Sequence, residues 1–296
     1  MFKHGYTEPV TPTRVVVLGA TGFVAAATVR NLLARSVSVL GLPRTTLDLA
    51  QTGAGEKLAR TLRPSDALLF VAAKAPVKNE EMLIENLRMA AAVIEAIRQT
   101  PVKHLVYVSS DAVYADSDAP LTEQSCAQPA SLHGVMHLAR EVMLANAFMG
   151  PLCLLRPTLI YGADDPHNGY GPNRFMRLAV AGRPIEIFGE GEEQRDHIWI
   201  EDVAEIVARV LMHQSRGVLN VATGTVASFA KLARTAATLF PCEGVKSSPR
   251  SGVMPHNGFR PFDTTALRRA FPNYQFLTAC EGIKHLCDAY KGKSLQ

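Results

Sequence analysis

Near the start of the chain stands RVVVLGATGFVAAA, a short β-branched apolar run that ends in glycine and passes at once into small residues. An apolar run without polar alternation suits a strand buried on both faces, which is the condition of strands in a parallel sheet. Gly19, Gly22 and Ala25 follow it at three-residue spacing, so the strand turns sharply into a helix. Parallel strands require crossovers, and that requirement constrains everything downstream.

The rest of the chain meets it. Val37–Leu40, Ala67–Val71, His104–Ser109 and Leu152–Leu155 are further short apolar runs, with helical patterns between them at Phe23–Ala34, Glu80–Gln99 and Ser131–Met149. Strand and helix alternating in this way predict an α/β fold, a doubly wound parallel Rossmann sheet joined by right-handed crossovers, with a smaller C-terminal substrate lobe. Past Arg156 the density of Pro, Gly and Asp reads as loop. The expected division is a dinucleotide-binding domain over 1–165 and a substrate-binding lobe over 166–296, with about 197–226 returning to the first.

A glycine turn between the first strand and first helix has a use beyond the bend. Backbone N–H groups at a helix start carry partial positive charge, and small residues let a pyrophosphate reach them. The other reading is a tight turn with no ligand. Alanine at the third position is compatible with the first, because that position serves helix–strand packing. Gly19, Thr21, Gly22, Phe23 and Val24 are therefore candidate cofactor contacts, with Asp48 and Ala72 further on. The second strand ends VLGLPR, with no Asp or Glu for ribose hydroxyls; its first charged side chain is Arg44. Arginine favours a 2′-phosphate, so NADP is expected over NAD. A solvated loop arginine is the alternative.

Several classes are set aside by bulk properties. The 31 basic and 27 acidic residues are spread along 296 positions, so no charged block points to nucleic acid or an anionic membrane. Five cysteines without C-x-x-C spacing fit reduced thiols better than a disulfide framework or zinc ribbon. No segment approaches the ~18 apolar residues of a span. A cytoplasmic protein that does not enter the membrane is expected.

With GATGFVA, the segment VYVSSDAVYADSDAPLTEQSCAQPASLHGVMHLARE resembles the active-site region of the extended short-chain dehydrogenase/reductase family, in its NAD(P)-dependent epimerase/dehydratase group. LLRPTLIYG, GEGEEQRDHIWIEDVA and NVATGTVASFAKLA resemble later motifs of that group in the same order, from about Arg14 to about Arg269. The resemblance implies a nucleotide-linked sugar as substrate and hydride exchange with NADP or NAD. It places a catalytic Ser at Ser110, and a Tyr-x-x-x-Lys pair where this chain has His133 and His137. Asn86 matches an asparagine near the cofactor, while Asn173, Arg174, Arg195 and Arg260 fall in segments that face the nucleotide sugar in relatives. The long helix and the catalytic helix form a dimer interface in many members, so a homodimer is expected.

Two histidines at the dyad positions are chemically coherent. A tyrosine near pKa ~10 must shift by about three units, roughly 4 kcal/mol, to act as base at neutral pH. Histidine, near ~6.5, needs no such help. His133 is the expected acid/base, Ser110 binds the same oxygen, and His137 is available to the ribose. A zinc pair would need a third ligand, and no H-E-x-x-H is present. Asp111 is followed by Ala112, which cannot abstract a proton where dehydratases of the group carry Glu; elimination of water is disfavoured and Asp111 is a leftover acid or a turn cap. His104, His167, His197 and His213 read as core or surface. The competing readings are a catalytically retired dinucleotide-binding or regulatory protein and a non-redox isomerase.

Overall fold

The computed structural model describes residues 1–293. From its start the chain runs β1 (Val15–Leu18), α1 (Phe23–Ala34), β2 (Val39–Leu42), α2 (Ala54–Thr61), β3 (Ala67–Phe70), α3 (Glu80–Gln99), β4 (His104–Val108), α4 (Leu132–Ala147) and β5 (Leu152–Pro157). It continues through β6 (Leu159–Tyr161), α5 (Pro172–Val180), β7 (Ile185–Phe188), β8 (Gln194–Trp199), α6 (Ile200–Met212) and β9 (Gly217–Val221). β10 (Val226–Ser228), α7 (Phe229–Ala237), β11 (Val245–Ser248), β12 (Phe259–Arg260), α8 (Thr265–Ala270) and α9 (Ala279–Lys293) complete it.

Two compact units result. Unit 1 comprises Met1–Ala115, Glu123–Pro157 and Val203–Val221; unit 2 comprises Asp116–Thr122, Thr158–Asp202 and the chain from Ala222 on. Against the division expected at 165/166, the second stretch of unit 1 ends at Pro157, and a short piece, 116–122, belongs to unit 2.

Unit 1 is built on a six-stranded sheet of order β2-β1-β3-β4-β5-β9, every pair parallel. Val15 through Leu18 are wholly or almost wholly buried, as their unbroken apolar pattern requires. The strand order reverses between β1 and β3, and at such a switch point the loops leave in opposite directions and open a crevice at the strand ends. The second strand lies two residues later than its apolar run suggests. Val37 donates its N–H to the Leu32 carbonyl, closing the end of α1, so pairing begins at Val39 opposite Val15. Leu58, Leu68, Phe70, Val93 and Tyr107 lie in the core on one side of this sheet.

Helix termini follow local chemistry. Asn79 caps α3 by accepting from Met82 N, with Glu80 and Glu81 in the first turn where the helix dipole favours them. Ser131 caps α4 by accepting from Gly134 N at 3.2 Å.

In unit 2, β10, β8, β12 and β6 form a four-stranded sheet, and β7 pairs with β11. The stretch after Arg156, expected as loop, therefore contains a strand: Leu159–Tyr161 runs parallel to His197–Trp199. Phe175, Phe229, Leu232, Ile283 and Leu286 form part of the unit's own core. Among the described residues no helix is long and apolar enough to cross a membrane.

Candidate active site

The glycine turn sits at the switch point. Gly19 has φ +79°, and a Cβ there would lie 2.9 Å from the Ala72 Cα, so the turn presses against the end of β3. Gly22 caps α1 without any side-chain hydrogen bond, and the first turn of α1 holds no acidic residue. A helix start in that state offers N–H donors and dipole to an anion, which is what a pyrophosphate requires. Ala25 is fully buried, as its packing role demands; Thr21 is exposed, and Phe23 and Val24 are half-buried.

Arg44 is 67% exposed, with Asp48 at 3.1 Å and Glu85 at 3.8 Å. The Ala50 N–H and then Arg44 hold the Asp48 carboxyl below its ordinary range. Asn86 is fully buried, and its amide is consumed by the chain: Oδ1 accepts from Lys74 N at 3.0 Å, while Nδ2 donates to the Lys74 and Met82 carbonyls. It therefore braces the loop after β3.

The proton-transfer candidates gather where β4 ends and α4 begins. Ser110 heads a 3-10 turn over Asp111–Val113, and its Oγ accepts from Ala112 N at 3.1 Å. Asp111 is 7% exposed. The start of α4 lies directly on this turn, because a Cβ on Gly134 would stand 2.0 Å from the Ala112 carbonyl oxygen. His133 and His137 face one another edge to face, ring centroids 4.7 Å apart. His133 is half-buried; His137 is 6% exposed and its Nδ1 lies 2.7 Å from Tyr107 Oη. Burial, then the charges of His133 and Arg140, push His137 well below the ordinary histidine range. Among the described residues no three His, Cys, Asp or Glu side chains gather into a metal set.

Three charged residues missing from the sequence reading support this region. Arg140 is fully buried, donates to the Ala72 and Asn86 carbonyls at 2.7–3.0 Å, and lies 4.9 Å from the Phe70 ring centroid. Glu141 accepts from Ser109 Oγ at 2.5 Å and from Arg156 at 2.5 and 2.9 Å. Arg156 in turn covers the Tyr114 ring at 4.8 Å. The available signal was an Arg-Glu pair inside the otherwise apolar run HLAREVML.

Unit 2 holds a second cluster. Arg195 and Arg260 are register partners on β8 and β12, 9% and 2% exposed. Glu193 joins Arg195, at 3.4 Å, to Arg250, at 3.3 Å. Arg250 Nε and Nη2 are buried without a hydrogen-bond partner, an arrangement costly to a guanidinium unless an anion is at hand. Sequence reading passed over Arg250 because SSPRSG carries no distinctive pattern. Arg260 donates to Asp116 at 3.0 Å and to His256 Nδ1 at 3.0 Å. Asn173 is elsewhere engaged: its Oδ1 accepts from Gly162 N and its Nδ2 donates to Asp165 at 2.5 Å. Arg174 is half-buried on α5.

Comparison with known proteins places these features in context. A model described as the NAD dependent epimerase/dehydratase family matches residues 15–222. UDP-glucose 4-epimerase of Mycolicibacterium smegmatis is 28% identical over an alignment covering 95% of this chain and 99% of that protein. dTDP-4-dehydro-6-deoxy-D-allose reductase of Streptomyces bikiniensis is 29% identical over 74% of this chain and 79% of its own. Among solved structures, UDP-glucose 4-epimerase of Thermus thermophilus with NAD has a TM-score of 0.79 at 24% identity, covering 94% of this chain and 99% of that one. GDP-L-fucose synthetase of Naegleria fowleri bound to NADP has a TM-score of 0.83 at 16% identity, covering 99% and 98%. At those identities the likeness is one of fold.

Proposed function

The chain belongs to the NAD dependent epimerase/dehydratase family, and on that premise we propose that it is an NAD(P)-dependent oxidoreductase or epimerase acting on a nucleotide-linked sugar. The observation that carries this is the seating of α4, the helix of His133 and His137, on the Ala112 carbonyl of the turn that Ser110 heads. A bound nicotinamide would supply the hydride acceptor and donor. The remaining work falls to the chain. Gly19, Thr21, Gly22, Phe23 and Val24 would hold the pyrophosphate at the start of α1, with Ala72 close by. Ser110 donates a hydrogen bond to the reacting oxygen, and His133 takes or returns its proton. Asp111 Oδ1, 3.4 Å from Ser110 Oγ, holds that hydroxyl hydrogen until the reacting oxygen replaces it.

Arg195 and Arg250 are the groups suited to the diphosphate, since guanidinium groups bind phosphate through paired hydrogen bonds. Exposed Arg44 favours NADP, but Asp48 and Glu85 offset part of its charge, so the margin over NAD is small. Tighter NADPH binding that disappears in Arg44→Ala is the expected result. The outer faces of α3 and α4 expose Ile84, Val135 and Val142 and frame a groove between Ile94 and Met143, which suits a homodimer; a monomer by light scattering would oppose that.

A second reading, a dinucleotide-binding protein without turnover, is favoured by one feature: neutral, buried His137 supplies no fixed charge. The two separate on incubation with NADPH, NADP or NAD and a panel of 4-keto and 4-hydroxy nucleotide sugars. Nicotinamide absorbance and the product sugar are followed. Turnover in the wild type that collapses in His133→Phe supports the enzyme; turnover unchanged in His133→Phe removes His133 from the chemistry, and none with any sugar favours the binding protein.

A further inference from the structure

The hydroxyl hydrogen of Tyr107, fully buried on β4, must be placed, because buried polar groups are paired with few exceptions. His137 Nδ1 lies 2.7 Å away, Met136 Sδ lies 4.0 Å away, and the nearby Arg140 guanidinium has donors only. A thioether is a weak acceptor, so the hydrogen goes to Nδ1. A nitrogen that accepts carries no proton, and the neutral ring then keeps its proton on Nε2.

We propose that Tyr107 is a positioning residue that fixes His137 as the neutral Nε2–H tautomer, leaving His133 as the one imidazole of the pair that takes up and releases a proton. This rests on the reading in which His133 is the acid/base, and sharpens it by assigning the pair's single proton. Protonating His137 would turn Nδ1 into a second donor facing the Tyr107 hydroxyl, and would strand that hydroxyl beside a sulfur. The charged and titratable groups around the ring are Tyr107 from β4, and His133 and Arg140 from α4, with Glu141 also acting on Tyr107. Arg140, and His133 whenever it is protonated, oppose a positive charge on His137. Burial acts in the same sense, holding the imidazole neutral and the phenol protonated.

Coupled imidazoles ordinarily release protons in two steps that belong to the pair. Burial and the neighbouring charges take one of those steps out of the working range, and Tyr107 decides which nitrogen of His137 keeps its proton. The test is long-range 1H–15N correlation on histidine-labelled protein from pH 5 to 8, with rings assigned through His133→Gln and His137→Gln. Expected is a His137 ring with bare Nδ1 and protonated Nε2 throughout, beside a titrating His133. A His137 with protonated Nδ1, or with a midpoint inside that range, overturns the proposal. Tyr107→Phe should leave His137 neutral but give it a mixture of tautomers; a folded variant that keeps the single Nε2–H tautomer also overturns it. Should that variant not fold, a through-bond correlation from the Tyr107 hydroxyl proton to Nδ1 in the wild type supports the assignment, and its absence with the hydroxyl proton visible refutes it. None of these spectra needs substrate or cofactor. A fixed tautomer in a protein without turnover would sink the enzymatic reading alone, and turnover with the other tautomer would sink this one alone.

Discussion

Replacing Gly134 with alanine gives a result whose sign is set by one contact. In an unobstructed helix interior, glycine to alanine stabilises by about 0.8–1 kcal/mol. Here the added Cβ would stand 2.0 Å from the Ala112 carbonyl oxygen and 2.7 Å from the Pro129 Cβ, where ordinary contact begins at 3.4 Å. The helix start and the Ser110 turn must therefore separate by well over 1 Å, since neither obstacle is the end of a flexible side chain. Overpacking of this kind costs about 1–3 kcal/mol. At roughly 2–4 °C per kcal/mol for domains of 150–250 residues, thermal unfolding should fall by several degrees. Displacing His133 from Ser110 by about 1 Å should also lower turnover on the order of a hundredfold. Differential scanning fluorimetry and steady-state rates at saturating cofactor read both effects. A Gly134→Ala protein that melts at or above the wild-type temperature with undiminished turnover would refute the seating of α4 on the Ala112 carbonyl.

Glu141→Gln leaves Arg156 buried without its carboxylate and should destabilise by about 3–5 kcal/mol in urea unfolding, against nearly nothing for an exposed pair such as Arg60 and Glu56. Arg250→Ala should weaken binding of a nucleoside diphosphate by roughly tenfold to a hundredfold, as the loss of a charged hydrogen bond of about 1.5–3 kcal/mol implies; unchanged affinity by calorimetry would remove Arg250 from the site. His104 titrates at about 4 because burial outweighs its bond to the Ser215 carbonyl. The unfolded chain binds that proton near pH ~6.5, so this contribution to stability is complete above pH ~6.5 and is lost as pH falls towards about 4. His104→Gln should flatten the stability profile in that window by up to about 1 kcal/mol per pH unit, and an unaltered slope would contradict it.

The parallel sheet was legible because its strands are short apolar runs alternating with helical patterns and its first turn is marked by glycine. α3 lies on the residues that its periodicity predicts, Glu80–Gln99, since a twenty-residue amphipathic pattern with an Asn cap leaves little latitude. β6 was lost in its surroundings: three residues set among Pro, Gly and Asp show no period, and only pairing with β8 makes them a strand. α2 escaped notice for a similar reason, being eight residues begun by a Gly-Ala-Gly run. Within the candidate site, Ser110, His133 and His137 were singled out by the resemblance of SSDAVY and SLHGVMHLARE to the family's motifs. The sequence could not locate Tyr107, Arg140 or Arg250, whose roles come from partners far away in sequence, as with Tyr107 and His137, 30 positions apart.

The alternation of the chain between its two units has a practical consequence. Unit 1 is made of three separate stretches and unit 2 of three more, and the six-stranded sheet takes its edge strand β9 from the last of the first set. Neither unit can be excised as one uninterrupted fragment. A ribosome that has released residues up to Pro157 has exposed five strands of a six-stranded sheet, and the missing edge arrives only after the intervening residues of unit 2 have followed. Expression boundaries drawn near the middle of the sequence should therefore yield insoluble pieces, and a protease nick in the 163–171 loop should leave two halves that still depend on one another.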